Sequence, residues 1–253
     1  MKNRRVIGIL GGVGPFAGLE LARRVMKATS STRDQDHLPL VLASFPGEIP
    51  DRSEFLRTGA GPNPGEGAVK SLERLAAAGA EVIGVACNTI HAPACWEPIA
   101  DAAKRLGLTL LHAVEETCRI VSCNPDWHEG AGLLGTSGLA QSGIYSATLK
   151  SSGIRPIKLP VGVQDAVQEL IYNAEWGLKA AGVATPQAAA QAQLAENVLV
   201  AGGARVIILA CTELSLLDTT MFQVPVIDSL DALAAALVTA SRASTGPTIV
   251  ANL

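Results

Sequence analysis

The sequence predicts an α/β protein built from two similar Rossmann-like lobes with mainly parallel sheets, facing each other across a cleft. Three observations predict it. Six of nine residues in Gly79-Ala80-Glu81-Val82-Ile83-Gly84-Val85-Ala86-Cys87 recur in Gly203-Ala204-Arg205-Val206-Ile207-Ile208-Leu209-Ala210-Cys211, 124 positions on (211 − 87). The same offset carries Gly8, Leu10, Gly11 and Gly14 onto Gly132, Leu134, Gly135 and Gly138, as two related halves require. The apolar runs are of strand length and continuous rather than alternating, the pattern of strands covered on both faces, and helical segments lie between them.

Each element follows from its residues. Residues 6–10 form the first strand. The basic stretch Met1-Lys2-Asn3-Arg4-Arg5 before it resembles a secretory leader, but Gly11-Gly12-Val13-Gly14-Pro15 breaks any apolar helix and no small-residue cleavage site follows. Residues 39–45 form the second strand. Residues 45–66, rich in Pro and Gly, are the main irregular stretch, and so long a loop in a compact chain is more often functional than idle. Residues 67–78 place Val69, Leu72, Leu75 and Ala76 on one helical face, and Gly79 closes that helix. Further strands are expected at 82–86, 109–112, 131–134, 155–159, 206–210 and 224–227. Residues 164–176 read as a helix; Thr185 and Pro186 open another that runs to about Ala201, and Ser229 caps the last. The first lobe is expected to comprise residues 1–112 plus 228–253 and the second 113–227, packed closely because no Ser/Gly linker separates them. The cleft between them is the expected active site, because ligands bind at the carboxyl ends of parallel strands.

Composition narrows the function. The 253 residues are 48% hydrophobic, enough for a sizeable core, and no apolar run approaches the ~20 residues of a membrane span. A net charge of −3 and 4% aromatic content leave no footprint for nucleic acid. The five cysteines are an odd set without secreted-scaffold density, which fits a reducing cytoplasm.

The chemistry centres on Cys87-Asn88-Thr89 and Cys211-Thr212-Glu213, each of which follows a strand and precedes a helical stretch. A thiol there meets free N–H groups and the helix dipole, which lower its pKa from ~8.5 toward neutrality. Asn88, Thr89, Thr212 and Glu213 supply donors and acceptors beside the thiols, and the same N–H groups suit a substrate carboxylate. A single such cysteine reads as a buried hydrophobe; a matched pair facing one cleft points to inversion of a carbon centre. Gly12-Val13-Gly14-Pro15-Phe16-Ala17 fits a dinucleotide-binding pattern with Asp34 and Asp36 downstream, but Pro15 removes a donor, and a tight turn approaching a small anion is the simpler reading. Arg52, in the long loop, is placed to clamp a carboxylate or to pair with Asp51. His91, one helical turn after Cys87, is placed to tune the thiolate or to hold a buried hydrogen bond. His37, His112 and His128 show no metal-ligand spacing with the cysteines, and Cys95, Cys118 and Cys123 read as packing.

Gly8-Ile9-Leu10-Gly11-Gly12-Val13-Gly14-Pro15, Ile49-Pro50-Asp51-Arg52-Ser53, Ala86-Cys87-Asn88-Thr89-Ile90-His91 and Ala210-Cys211-Thr212-Glu213-Leu214 together resemble the aspartate/glutamate racemase family, its aspartate racemase branch above all. Gly135-Thr136 and Ser142-Gly143-Ile144-Tyr145 extend the resemblance over nearly the whole chain. It implies two lobes related by a pseudo-twofold axis, with no pyridoxal phosphate and no metal, acting on a small amino acid; a homodimer is expected. By that resemblance Cys87 and Cys211 are the acid/base pair and Arg52 recognises a substrate carboxylate. Asn88, Thr89, Thr136, Thr212, Glu213 and the Gly12-Val13-Gly14 loop line the site. Leu139 stands where the family often has threonine. Trp176 stands where it often has a carboxylate-binding lysine, with Lys179 about a turn on, which leaves room for a different small carboxylate as substrate. Two rival classes remain: an amino-acid sensor that keeps the cleft without turnover, and a thiol redox protein, which lacks a C-x-x-C motif and whose disulfide would block the cleft.

Overall fold

A computed structural model describes residues 4–243. The ends of the expected first lobe, 1–3 and 244–253, lie outside the described residues. The strands are β1 (Ile7–Leu10), β2 (Leu40–Ala43), β3 (Val82–Val85), β4 (Thr109–Leu111), β5 (Ala131–Leu134), β6 (Pro156–Ile157), β7 (Val206–Leu209) and β8 (Val226–Asp228). They form two four-stranded sheets of the same order, β2-β1-β3-β4 and β6-β5-β7-β8, and every pairing is parallel. All eight expected strands are present. The offset of 124 holds for both central strands (Ile7 to Ala131, Val82 to Val206), whereas β6 and β8 begin 116 (156 − 40) and 117 (226 − 109) residues after β2 and β4.

The repeat survives where the central strands pack closely against their neighbours. A Cβ on Gly8 would lie 2.5 Å from Ile83 Cδ1 and 2.8 Å from the Ala80 Cβ. One on Gly132 would lie 2.8 Å from Ile207 Cδ1 and 3.1 Å from the Ala204 Cβ. These are the same three positions in each lobe, so Gly, Ala and Ile are fixed together by one interlock.

The helices are α1 (Pro15–Thr29), α2 (Arg52–Thr58), α3 (Pro64–Ala77), α4 (Pro93–Arg105), α5 (Ala113–Ser122), α6 (Ser137–Ser142), α7 (Ile144–Ser151), α8 (Val161–Tyr172), α9 (Leu178–Ala181), α10 (Pro186–Ala201) and α11 (Ser229–Arg242). The first sheet lies between α3 and α4 on one face and α1 and α11 on the other. The second lies between α8 and α10 on one face and α5 and α7 on the other. Central strands are therefore covered on both faces, as their unbroken apolar runs demand. The last helix leaves the second sheet at β8 and packs on the first, where Leu230, Leu233 and Leu237 are fully enclosed. Each such side chain contributes roughly 1.5–3 kcal/mol. No helix among the described residues is long and apolar enough to cross a membrane.

Local corrections have local causes. The Pro/Gly-rich stretch is not one loop: Asp51 accepts from the Glu54 backbone N–H and starts α2, and Asn63 caps α3. The helix expected at 164–176 begins at Val161 and ends at Tyr172, because the Asn173 side chain takes the N–H groups of Glu175 and Trp176 into a turn. Thr185 caps α10 as expected, but Asp228, not Ser229, caps α11, accepting from Leu230 N at 2.9 Å. Asp228 also binds the Arg24 guanidinium at 2.7 Å, so the cap doubles as a tie to α1.

Candidate active site

The carboxyl ends of β1, β3, β5 and β7 carry the residues singled out by the sequence. Gly12-Val13-Gly14 turns from β1 into α1, with Gly12 at φ 77°. Cys87 and Cys211 each lie two residues past the end of a central strand, β3 and β7. Thr136 follows β5 and caps α6 through Leu139 N. Both cysteines are buried and free. The lobes close tightly around them: a Cβ on Gly138 would lie 2.8 Å from Ser53 Cα, so α6 meets α2 across the cleft. The hydroxyls of Thr89 and Thr136, one from each lobe, are 3.2 Å apart.

Arg52 is the first residue of α2, and its guanidinium lies beside the Cys87 thiol. Burial opposes its charge, but the sulfur, with Asp51 and Tyr172, outweighs that and holds it protonated. Nη2 donates to the Val13 carbonyl at 2.5 Å and Nη1 to that of Pro50 at 3.3 Å. The residue is half-buried by surface, yet its Nε is enclosed and has no hydrogen-bond partner. That leaves a charged donor free for an anion.

The second thiol has the opposite neighbour. Cys211 Sγ donates to Glu213 Oε2 at 3.1 Å, as does the Thr212 hydroxyl, while Lys179 pairs with Oε1. Burial first, then the Glu213 charge, pushes the Cys211 thiol well above its ordinary range; Lys179 pulls the other way. The expected lowering by a helix dipole is therefore corrected at Cys211. Cys211 leads into a 3₁₀ turn, Thr212–Leu216, with too few aligned peptides to offset burial. The pair holds Glu213 below the usual carboxylate range despite its burial, and raises Lys179 despite its own.

His91 does not touch the thiol. Its Nδ1 meets the Cys87 carbonyl at 2.7 Å and its Nε2 accepts from Ala113 N at 3.1 Å. Burial pushes its pKa well down, so it is a neutral fastener for the cysteine turn, stacked on Trp96 with ring centroids 4.3 Å apart. Asn88 is buried and engaged by Tyr145 and Ser229. Asp36 pairs with Arg33 on the surface, and Asp34 is exposed beside it.

Two participants, Lys179 and Tyr172, were given no site role by the sequence reading. Lys179 approaches the Tyr172 ring at 5.2 Å as well as Glu213, whereas Trp176 packs against the second lobe's core. The signal for Lys179 was its place about a turn beyond position 176, where the family often has a carboxylate-binding lysine. A cavity of about 300 Å³ lined by Gly14, Lys179, Thr212 and Glu213 joins the first lobe's glycine turn to the second lobe's acid. Arg52–Cys87 on one side and Lys179–Glu213–Cys211 on the other are linked through Tyr172, which feels the charges of Lys179 and Cys211 and in turn acts on Arg52. Both thiols thus belong to one electrostatic cluster.

Residues 10–237 match the family model for Asp/Glu/hydantoin racemases. Among solved structures, the chain is similar to an aspartate racemase from Picrophilus torridus (28% identity, 94% of each chain covered, TM-score 0.74). An aspartate racemase homologue from Pyrococcus horikoshii (21%, 95% of this chain and 99% of that one, TM-score 0.70) shares the fold. So does a glutamate racemase from Francisella tularensis solved with D-glutamate (16%, 98% and 86%, TM-score 0.63).

Proposed function

The chain belongs to the Asp/Glu/hydantoin racemase family, and from that premise we propose that it interconverts the L and D enantiomers of aspartate or glutamate by a two-base mechanism on Cys87 and Cys211. The observation that carries the reading is the matched pair of buried thiols two residues past the central strands, inside one cluster of charges.

One cysteine, as thiolate, takes the α-proton from one face; the other, as thiol, returns a proton to the opposite face. The reverse reaction starts from the swapped protonation states. Arg52, with an enclosed Nε free to donate, binds one carboxylate. Lys179 supplies the second cation that a dicarboxylate needs, in place of the lysine missing at 176. Preorganised donors in the turns after β1, β3, β5 and β7 stabilise the carbanion-like intermediate.

Purified protein in D₂O, with neither pyridoxal phosphate nor metal added, should remove the α-proton signal of aspartate or glutamate and convert one enantiomer into the other. Binding without exchange would make it a sensor, and activity only on addition of a cofactor would exclude the two-thiol mechanism.

The Lys179–Glu213 pair gives a pH test with opposed signs. In the direction where Cys211 acts as base, its thiol must first lose a proton, so the acidic limb of kcat tracks its pKa. Glu213→Gln removes the charge that raises that pKa and should move the limb to lower pH. Lys179→Met removes the charge that lowers it and should move the limb to higher pH. Shifts of the same sign would mean that the pair does not set the Cys211 titration.

A further inference from the structure

Asn88 follows Cys87, yet its side chain is engaged at both ends by the protein. Its Oδ1 accepts from the Tyr145 hydroxyl of α7 at 2.6 Å. Its Nδ2 donates to Oγ of Ser229, the first residue of α11, at 2.8 Å. The Ser229 hydroxyl donates onward to the carbonyl of Leu209 at 2.9 Å; Leu209 ends β7, two residues before Cys211. Asn88 is 3% exposed, Tyr145 2% and Ser229 1%, so water does not compete for these groups. Two bonds therefore join the residue beside one thiol to the strand that presents the other, and a third ties that residue to α7 of the second lobe.

The chain of donors runs one way, from phenol to amide to hydroxyl to carbonyl, and cannot be reversed because the terminal carbonyl has no proton to give. Burial pushes the Tyr145 phenol well up, so it stays a donor. The inter-lobe hydrogen bond from Thr89 to Thr136 is a single bond between two rotatable hydroxyls. The buried path that ties one cysteine turn to the strand of the other thus runs through Asn88.

We propose that Asn88 is the middle link of a strut, Tyr145–Asn88–Ser229, that fixes the gap between the two cysteine turns, and that Tyr145 and Ser229 are positioning residues for passing a proton across the substrate. The proposal rests on the reading that both thiols act on one α-carbon. Two bases on opposite faces serve one carbon only if their separation is held, because proton transfer is steep in distance while binding to either thiol alone is not. A loosened strut leaves each thiol competent and uncouples the pair.

The test uses Ser229→Ala, Tyr145→Phe and the hydroxyl-retaining Ser229→Thr. In D₂O, Ser229→Ala should lose racemisation about tenfold or more with KM little changed, while α-proton wash-out of one enantiomer stays near the parent rate. Ser229→Thr should restore racemisation. Tyr145→Phe removes only a hydroxyl and carries the same expectation should Ser229→Ala fail to fold. A second readout needs no turnover: in a Cys123→Ser background, dibromobimane should bridge Cys87 and Cys211 in the parent, with a yield that falls several-fold in Ser229→Ala and recovers in Ser229→Thr. A parent that bridges but neither exchanges nor racemises would sink the two-thiol reading and leave the strut to be judged by bridging. Bridging that is absent in the parent or indifferent to Ser229 would overturn the strut, as would wash-out and racemisation falling in parallel, or a rise in KM alone.

Discussion

Cys87→Ser and Cys211→Ser should each lose racemisation by about 10²–10⁴-fold, the usual contribution of a positioned general acid or base. The loss follows from the arrangement: serine at either position leaves one face of the α-carbon without a proton carrier at working pH. Each variant keeps one thiol, and should still wash out the α-proton of the enantiomer whose face that thiol meets. The two variants should therefore prefer opposite enantiomers in D₂O, which a general weakening of the fold cannot produce. Substitution of the other cysteines should leave exchange intact. Cys95 and Cys118 are enclosed within α4 and α5 rather than standing past the end of a central strand, and Cys123 lies on the surface. A single-serine variant that racemises both enantiomers at the parent rate would rule out the two-base mechanism.

Arg52→Leu should raise KM steeply or abolish turnover. Truncating one partner of a buried charge pair costs roughly 2–5 kcal/mol, about 30-fold to several thousand-fold at 1.4 kcal/mol per tenfold. Arg52 contacts the Val13 and Pro50 carbonyls and the Cys87 sulfur, and its unpartnered Nε is the donor proposed for the substrate carboxylate. Arg52→Lys keeps the charge but not the fork, and should recover only part of the loss. Steady-state kinetics with aspartate and glutamate, beside a thermal melt showing the variant folded, decide it. Unchanged kinetics would reduce Arg52 to a fastener of the Val13 turn.

The strands and the two cysteine positions were legible because their cause is local. A strand covered on both faces must be apolar at every residue, and Gly8, Ala80 and Ile83 repeat as Gly132, Ala204 and Ile207 because one interlock fixes all three. The helix α2 was hidden because a single Asp51 cap starts it inside a stretch whose Pro and Gly content reads as loop. The Cys211 titration was misjudged because burial, and the Glu213 carboxylate folded back onto the thiol, outweigh the short turn after the strand. Lys179 was legible as a lysine a turn out of place but not as a site residue, because it reaches Glu213 across 34 positions of sequence, through a turn set by Asn173. Sequence periodicity reports what surrounds a backbone segment. It carries little about which charged tips meet between distant turns of one lobe.

The path of the last helix has a consequence for the order in which this chain is made. The second sheet and the four helices that cover it lie between residues 113 and 228, so that half is complete as soon as it leaves the ribosome. The first sheet is synthesised earlier but stays bare on part of one face until α11 returns to cover Ile7, Ile9 and Val82. Its closure waits on contacts more than 200 residues apart, such as the Ser241 hydroxyl on the Arg5 carbonyl, 236 positions away. Long-range closure of that kind is slow. The first lobe is sealed after the second, and a nascent chain that has yet to release α11 holds one finished half beside one still exposed.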